Sequence, residues 1–223
     1  AEHPVRGGVF CETLPPGVLA RQVRTGRLAM GSLALSVVPD VVALGPEALL
    51  ALERDGLVGP ARAYASNGMA LLVAPGNPLG IRGWADLGRP DVRVALPDAE
   101  TEGIGALALD ALARVGGDDL AAAVRHAKVD AGTTQMTSIT TGRGRLDDTV
   151  DAAIVWTTEA RHHLARGAAV EAVSPVEGEL VRGGYACAVA RSSRHPEAAE
   201  AFVDFLAGPV AARLYAAHGF DPV

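Results

Sequence analysis

Hydroxyl side chains are the densest group of chemically useful residues in this sequence. Six of them fall within residues 133–141, namely Thr133, Thr134, Thr137, Ser138, Thr140 and Thr141. Each hydroxyl can both donate and accept a hydrogen bond, so such a segment suits an oxyanion or a sugar-like ligand. The same pattern is also typical of a solvated loop, and the residue types alone leave both interpretations open.

Acidic and imidazole side chains offer a second kind of chemistry. Glu100 and Glu102 precede a predicted helix, where acids favour the helix dipole but would repel an anion if they pointed at it. They keep a cationic ligand possible in principle. Glu159, His162 and His163 lie within one helical turn, yet adjacent histidines point in different directions and no second cluster completes a metal-ligand spacing. We therefore predict no metal site.

Enzymatic signatures are missing from the sequence. It has no G-x-S-x-G elbow, P-loop, dinucleotide-binding glycine motif or H-E-x-x-H pair. Cys11 and Cys187 each fall in an apolar run typical of a strand, which predicts two buried core thiols rather than a disulfide. We expect a protein that is not an enzyme and that carries no cofactor.

Bulk composition narrows the class of protein. The chain has 223 residues, 49% hydrophobic and 21% charged, with a net charge of −6. That is an ordinary globular composition, long enough for one large domain or two small lobes. Without a basic stripe or a long apolar run, neither nucleic acid nor membrane insertion is expected. The first residues, Ala1-Glu2-His3-Pro4, fit an exported chain whose signal peptide has been removed, and equally a cytoplasmic one.

Strands alternate with helices along the chain. Strands are predicted at 5–11, 41–44, 69–74, 92–96, 152–156, 169–173 and 185–190, with a further apolar segment at 30–38. Helices are predicted at 18–23, 47–54, 84–87, 105–115, 119–126, 159–166, 196–206 and 209–217. Such alternation predicts an α/β fold with mixed, mostly parallel sheets and helices on both faces. Ligands in such folds lie at carboxyl ends of strands and at helix N-termini.

Several segments, in this order, carry a family resemblance. They are residues 19–26, 40–44, 65–78, 84–95, 150–156 and 196–220, and they include Ala65-Ser66-Asn67-Gly68-Met69 and Ala152-Ala153-Ile154-Val155-Trp156. Together they resemble the type II periplasmic or extracellular solute-binding proteins of ABC transporters, closest to the molybdate-binding branch. The resemblance implies a two-lobed fold, with residues 1–75 and 185–223 in lobe one and 76–184 in lobe two.

The resemblance also implies a function. The chain would be a monomeric, extracytoplasmic receptor in the periplasm or outside the cell, capturing a small polar ligand for an ABC permease. A molybdate-like oxyanion is the leading ligand class. Three alternatives remain at this point: an effector-sensing domain of a transcription regulator, a metal-binding solute receptor, and an enzyme or non-binding descendant built on the same fold.

Carried over position by position, the family's ligand contacts fall on residues in both lobes. Lobe two contributes Gly103, Ile104, Gly105, Thr137, Ser138 and Trp156, and lobe one contributes Thr13 and Ser66. Trp156 replaces a tyrosine, which removes a hydroxyl, and a core tryptophan is the competing interpretation. Lobe one departs further, because prolines follow Thr13 where the family has serines and the family's first strand and helix have no clear counterpart.

Overall fold

The protein is described by a computed structural model covering residues 8–14, 16–30, 33–36, 38–100, 102–126, 150–175 and 181–223. The helices in these ranges are α1 (Pro16–Thr25), α2 (Pro46–Arg54), α3 (Gly103–His126), α4 (Thr157–Ala165), α5 (Pro196–Leu206) and α6 (Pro209–Ala217). The strands are β1 (Arg27–Met30), β2 (Leu33–Ser36), β3 (Val41–Leu44), β4 (Arg62–Val73), β5 (Val94–Ala95), β6 (Ala152–Trp156), β7 (Glu171–Val173), β8 (Arg182–Val189) and β9 (Asp221–Pro222). A 3₁₀ helix spans Trp84–Gly88.

The chain divides into two compact units. The first comprises Ala1–Ser66 and Gly184–Val223, and the second comprises Asn67–Gly183. The boundaries predicted from the resemblance were 75/76 and 184/185. Strands β4 and β8 each contribute residues to both units. Each unit has its own buried core, described separately below.

Strand β8 pairs with β3 and β4 in the sheet of the first unit. β3 runs antiparallel to β8, from Val41 opposite Val189 to Leu44 opposite Ala186, and β9 pairs with the first part of β4. The core beside this sheet holds apolar residues of β3, α2 and β8, with partly buried residues of α1 packed against them. Leu49 and Leu52 of α2 are completely buried there. Their spacing of three residues puts both on one helix face.

Two local predictions in the first unit were wrong. Residues 8–11 form no strand, and Cys11 is exposed rather than buried, beside Phe10 at 88% exposure. The short run Val9 to Cys11 has no described strand partner. The apolar segment 30–38 does not join the main sheet either. Residues 30 and 33–36 of this segment belong to β1 and β2, which pair antiparallel as a separate two-stranded sheet.

Helix ends follow sequence signals closely in this unit. α5 and α6 begin at Pro196 and Pro209, as predicted, because the first helical turn needs no N–H from proline. α1 ends before Gly26 at φ 65°, and α6 ends shortly before Gly219 at φ 88°. Both glycines take the left-handed conformation that commonly terminates helices.

Strand β4 is central in the sheet of the second unit. β6 pairs with it on one side, from Met69 opposite Trp156 to Val73 opposite Ala152, and β7 pairs with Leu71 to Val73 on the other. β5 lies parallel to β6 at the outer edge. A large core joins this sheet to α3 and the 3₁₀ helix, with Trp84 completely buried.

The predicted mixed α/β class is confirmed, but the expected predominance of parallel pairs is not. Among the pairings described in register, only β5 and β6 are parallel. The unit β6–α4–β7 explains the difference: β6 and β7 run in the same direction, but antiparallel β4 lies between them. Alternation of strands and helices therefore predicted the crossover correctly and the neighbours incorrectly.

α3 contains the break that the sequence predicted. Gly116 and Gly117 leave helical geometry, Gly117 at φ 72° and ψ −175°, between segments that match the two expected helices. In the described part of the chain, no helix has the length and apolar character needed to cross a membrane.

Candidate functional site

The start of α3 carries three predicted ligand contacts, Gly103, Ile104 and Gly105. Ile104 is buried in the core, so only its backbone could meet a ligand. A methyl group added to Gly105 would lie 2.6 Å from the carbonyl oxygen of Pro97, so this glycine is needed for packing. A methyl group on Gly103 would meet no described atom within 4 Å. Gly103 is therefore the position where the backbone is open to approach.

The loop before α3 is tied to the helix by hydrogen bonds. The Glu102 N–H donates to the Asp98 carbonyl oxygen at 2.8 Å, and the Asp98 carboxylate accepts the Glu100 N–H at 2.8 Å. The Gly105 N–H donates to the Glu102 carbonyl at 3.0 Å. The first N–H groups of α3 belong to Gly103 and Ile104. Helix geometry gives them no acceptor within the helix, so they can donate to an acceptor outside it.

Trp156 lies at the junction of β6 and α4. Its backbone N–H donates to the Glu159 carboxylate at 3.2 Å, which fixes the first turn of α4. The ring covers Gly183 so closely that an added methyl group there would lie 2.4 Å from Trp156 Cη2 and 3.2 Å from Leu107. The side chain is half-buried and packs against the core. Part of the indole ring is buried against the core, and part remains accessible to solvent.

Two carboxyl groups lie at the starts of α3 and α4. Burial raises the pKa of Glu159, the Trp156 N–H opposes that rise, and the nearby charge of Glu102 adds to it. Burial also raises the pKa of Glu102, with a contribution from Asp98. An anion at these helix starts would work against both carboxylates, so it would bind better when they are protonated.

A second group of polar residues surrounds Gly68, where sequence reasoning predicted no site. A methyl group added to Gly68 would lie 3.1 Å from Thr157 Oγ1 and 3.6 Å from Arg182 Nη1. The hydroxyl and the guanidinium thus face the same bare stretch of backbone. The only signal in the sequence was the polar Asn67-Gly68 pair interrupting an otherwise apolar strand.

Asn67 is the most deeply buried polar residue near this group, with 1% exposure. Its Nδ2 donates to Thr158 Oγ1 at 2.9 Å, which holds the amide against the first turn of α4. Its Oδ1 has no hydrogen-bond partner among the described residues. A buried carbonyl oxygen that accepts no hydrogen bond lowers the stability of the folded protein.

The remaining predicted contacts are not part of these groups. Thr137 and Ser138, with the rest of segment 133–141, lie outside the described residues. Thr13 is exposed and Ser66 is half-buried, and both belong to the first unit. Ser66 lies opposite Asp221 in the pairing of β4 with β9. Within the second unit, the structure brings together the α3 start and Trp156.

An aromatic cluster in the first unit was not predicted. Tyr64 lies 5.4 Å from Tyr215 and 6.2 Å from Tyr185 between ring centroids, and Tyr185 meets Phe220 edge-on at 5.8 Å. The Tyr215 hydroxyl donates to the Leu206 carbonyl at 3.0 Å. Burial raises the pKa of Tyr64 strongly. The cluster ties residues near the C-terminus to β4 and β8.

One grouping has the residue types of a hydrolytic triad. Ser193 Oγ donates to Asp40 Oδ1 at 2.6 Å, and His195 Nδ1 lies 3.4 Å from Asp40 Oδ2. The hydroxyl bonds the carboxylate and not the imidazole, so the histidine is not placed to take its proton. The backbone N–H of His195 donates to Ser193 Oγ, just before α5 begins. This arrangement organises a helix start.

The cysteines and the surface depression do not point to other chemistry. Cys187 is buried, and burial raises its pKa to about 11, the opposite of an activated thiol. Across the ranges described, no three His, Cys, Asp or Glu residues are grouped to hold a metal ion. A depression of about 740 Å³ lies along α2 and contains no predicted site residue. It is lined by Glu47, Leu50, Glu53 and Arg54.

The sequence profile of the bacterial extracellular solute-binding proteins matches residues 9–221. The chain belongs to this family. No curated protein matches the sequence significantly. As a solute-binding protein, it belongs to a class that binds small ligands and works with ABC permeases. The resemblance inferred from the sequence is thus confirmed.

Solved structures place the solute-binding protein in the expected fold. The sulfate-binding protein SubI from Mycobacterium tuberculosis H37Rv is 23% identical, with a TM-score of 0.72 over 94% of this chain and 74% of that chain. The periplasmic molybdate-binding protein of Azotobacter vinelandii is 17% identical, with a TM-score of 0.67 over 92% and 84%. Peb3 from Campylobacter jejuni is 17% identical, with a TM-score of 0.63 over 93% and 84%. At these identities the likeness establishes the fold alone.

Proposed function

We propose that this solute-binding protein captures a small tetrahedral oxyanion outside the cytoplasm and presents it to an ABC permease. The observation that carries the proposal is the proximity of two helix starts, α3 at Gly103 and α4 at Thr157, in one unit. A methyl group added to Gly183 would lie close to both Trp156, which precedes α4, and Leu107 of α3, and this supports that proximity. Sulfate and molybdate are named as ligands of two similar proteins.

Helix starts suit an oxyanion for a physical reason. The first N–H groups of a helix have no partner within the helix, and the helix dipole places partial positive charge there. Two such starts can bind a tetrahedral anion by backbone donors, with few positive side chains. The open backbone at Gly103 allows close approach. The half-buried Trp156 would supply an apolar wall beside the anion.

A thermal-shift screen tests the proposal directly. The purified protein is measured against molybdate, tungstate, sulfate, phosphate, divalent metals and small organic acids, because selective binding raises the melting temperature by mass action. We expect a saturable shift with one or more tetrahedral oxyanions. A shift confined to divalent metals or to small organic acids would contradict the proposal. A shift with metals alone would favour the carboxylates of Glu102 and Glu159 as the ligand contacts.

Substitution at the open glycine tests the location of the ligand. Gly103→Val adds a side chain at the α3 start whose Cβ meets no described atom within 4 Å, so the fold should tolerate it while oxyanion affinity falls by about tenfold or more, the equivalent of ~1.4 kcal/mol. Ala106→Val, at an exposed position of the same helix, is the matched control. Equal affinity in both variants, measured by isothermal titration calorimetry, would remove the α3 start from the site.

A further inference from the structure

Strand β4 contacts the first turn of α4 through both of its faces. Asn67 and Gly68 are consecutive residues of β4, and consecutive residues of a strand point to opposite faces. On one face, Asn67 Nδ2 donates to Thr158 Oγ1 at 2.9 Å. On the other, Thr157 Oγ1 lies 3.1 Å from the position that a Cβ atom at residue 68 would occupy. The first two residues of α4 are therefore placed against different faces of the same strand.

The Asn67 amide is not explained by the stability of the core. The residue is 1% exposed, and its Oδ1 atom accepts no hydrogen bond from any residue that the structure describes. A buried amide with an unsatisfied oxygen lowers stability, whereas apolar groups in place of both hydrogen-bonding partners can be neutral or stabilising. What the amide provides is a directional contact with Thr158, which an apolar side chain would not make.

That contact fixes the position of backbone donors. The first N–H groups of α4 belong to Thr157 and Thr158, and helix geometry gives them no acceptor within the helix. The N–H of the preceding residue, Trp156, already donates to the Glu159 carboxylate. Donors that are held in place before an anion arrives bind it more tightly, because less conformational entropy is lost on binding.

We propose that Asn67 is a positioning residue for anion binding, which does not touch the ligand but fixes the first turn of α4 through the Thr158 hydroxyl. This inference rests on the proposed oxyanion-binding function, and it assigns a part in that function to a buried residue outside the ligand contacts. Gly68 has a complementary role, because a side chain there would displace Thr157. The two residues of β4 together set the geometry of this helix start.

Isothermal titration calorimetry of the intact protein with sodium molybdate, sulfate and phosphate at pH 7 tests the role. Asn67→Leu removes the amide at similar volume, and Thr158→Val removes the hydroxyl. Each should weaken the tightest-binding of the three anions by about fivefold or more, the equivalent of one hydrogen bond. The double variant should bind within about twofold of either single variant, because both substitutions remove the same bond.

Stability separates positioning from a purely structural role. Because Asn67→Leu with Thr158→Val replaces both partners by apolar groups, the melting temperature of the double variant should stay within about 3 °C of the unmodified protein or rise. Its anion affinity should fall nonetheless. Thr158→Ser retains the hydroxyl and should keep the affinity within about twofold.

A control for the loss of a threonine hydroxyl comes from the first unit. Thr25→Val removes an exposed hydroxyl that donates to the Arg21 carbonyl oxygen of α1, and should leave anion affinity within about twofold of the unmodified protein. If Asn67→Leu does not fold, Asn67→Ala takes its place, and the comparison of Thr158→Val with Thr158→Ser remains.

The outcomes distinguish this inference from the proposed function. Anion affinity that is unchanged by removal of the Asn67 amide, or that falls as much with Thr158→Ser or Thr25→Val as with Thr158→Val, would overturn the positioning role and leave oxyanion capture standing. A double variant that loses stability but binds anions normally would make the hydrogen bond purely structural. Absence of binding of all three anions by the unmodified protein would overturn both proposals.

Discussion

The two helix starts of the second unit differ in how their residues are employed. At α3, Gly105 is bare because the backbone of Pro97 and Asp98 occupies the space of a side chain, at 2.6–2.7 Å from an added methyl group. Gly68 of β4 lies beside the α4 start. A methyl group added there would be 3.1 Å from the Thr157 hydroxyl and 3.6 Å from the Arg182 guanidinium. The first glycine serves packing, and the second faces groups that can bind a ligand.

This difference shows what a glycine pattern alone can and cannot indicate. Gly103-Ile104-Gly105 was predicted as a ligand loop because glycines before a helix permit close backbone approach. The structure assigns that openness to Gly103 and a packing role to Gly105. Asn67-Gly68 carried no loop signal, since it lies within the longest strand of the structure as described. Only the neighbours in space reveal which bare backbone faces chemistry.

The largest expected effect comes from truncating the aromatic wall of the α4 start. Trp156→Ala removes a ring that packs on Gly183 and Leu107, so we expect a loss of about 3 kcal/mol in the free energy of unfolding, at the lower end for buried aromatic truncation. Oxyanion affinity should fall as well, because part of the ring is accessible. Urea denaturation and calorimetry measure the two effects. A large stability loss with unchanged affinity would make Trp156 a core residue only.

The next largest expected effect is a difference in the free energy of unfolding between substitutions at Gly105 and at Gly103 of α3. Gly105→Ala should destabilise the protein by about 1–3 kcal/mol, because its methyl group collides with backbone that cannot easily move. Gly103→Ala should change the free energy of unfolding by about 0.5 kcal/mol or less, or stabilise slightly through reduced entropy of the unfolded chain. Chemical denaturation of both variants checks this. Similar losses at both positions would contradict the assignment of packing to Gly105.

A smaller effect is expected from the carboxyl at the α4 start. Burial raises the pKa of Glu159 in the folded protein above its unfolded value of 4.5, so ionisation costs stability. That cost is absent below pH 4.5 and is complete above the raised pKa. Glu159→Gln keeps an acceptor for the Trp156 N–H and should raise the melting temperature by about 1–4 °C at pH 7 but not at pH 4.

A control for this pH dependence comes from another helix of the chain. Glu200→Gln changes an exposed carboxyl on α5 and should leave the melting temperature nearly unchanged at both pH values. A stabilisation by Glu159→Gln that is equal at pH 4 and pH 7 would show that ionisation of this carboxyl is not its origin.

The smallest signal is spectroscopic and uses the two tryptophans of the chain. Trp84 is completely buried in the core of the second unit, whereas Trp156 is half-buried at the α4 start. Oxyanion binding should therefore change the fluorescence of Trp156 and leave that of Trp84 constant. Trp84→Phe should retain the ligand-dependent change, and Trp156→Phe should lose it. The reverse result would move the ligand away from α4.

Much of the fold was predictable from local patterns. Pro196 and Pro209 marked helix starts, Gly26 and Gly219 marked helix ends, and Gly116-Gly117 marked the break in α3, because each signal acts through the backbone of its own residues. The buried strand β6 was equally clear from its apolar run. Strand neighbours were less predictable, since pairing depends on residues distant in sequence. No local sequence pattern therefore indicated that β4 lies between β6 and β7.

The features of the candidate site also divide into those set by local sequence and those set by residues distant in sequence. The sequence by itself indicated the family and the two helices beside the candidate site. It predicted those helices to begin at 105 and 159, and the structure begins them two residues earlier, at Gly103 and Thr157. Only the tertiary structure decided that Gly105 is a packing residue, that Cys11 is exposed, and that Thr157 and Arg182 meet at Gly68. The physical reason is that hydrogen bonds, burial and steric contact act over a few ångströms in space. Residues 68, 157 and 182 come within that distance only when β4, α4 and β8 fold together.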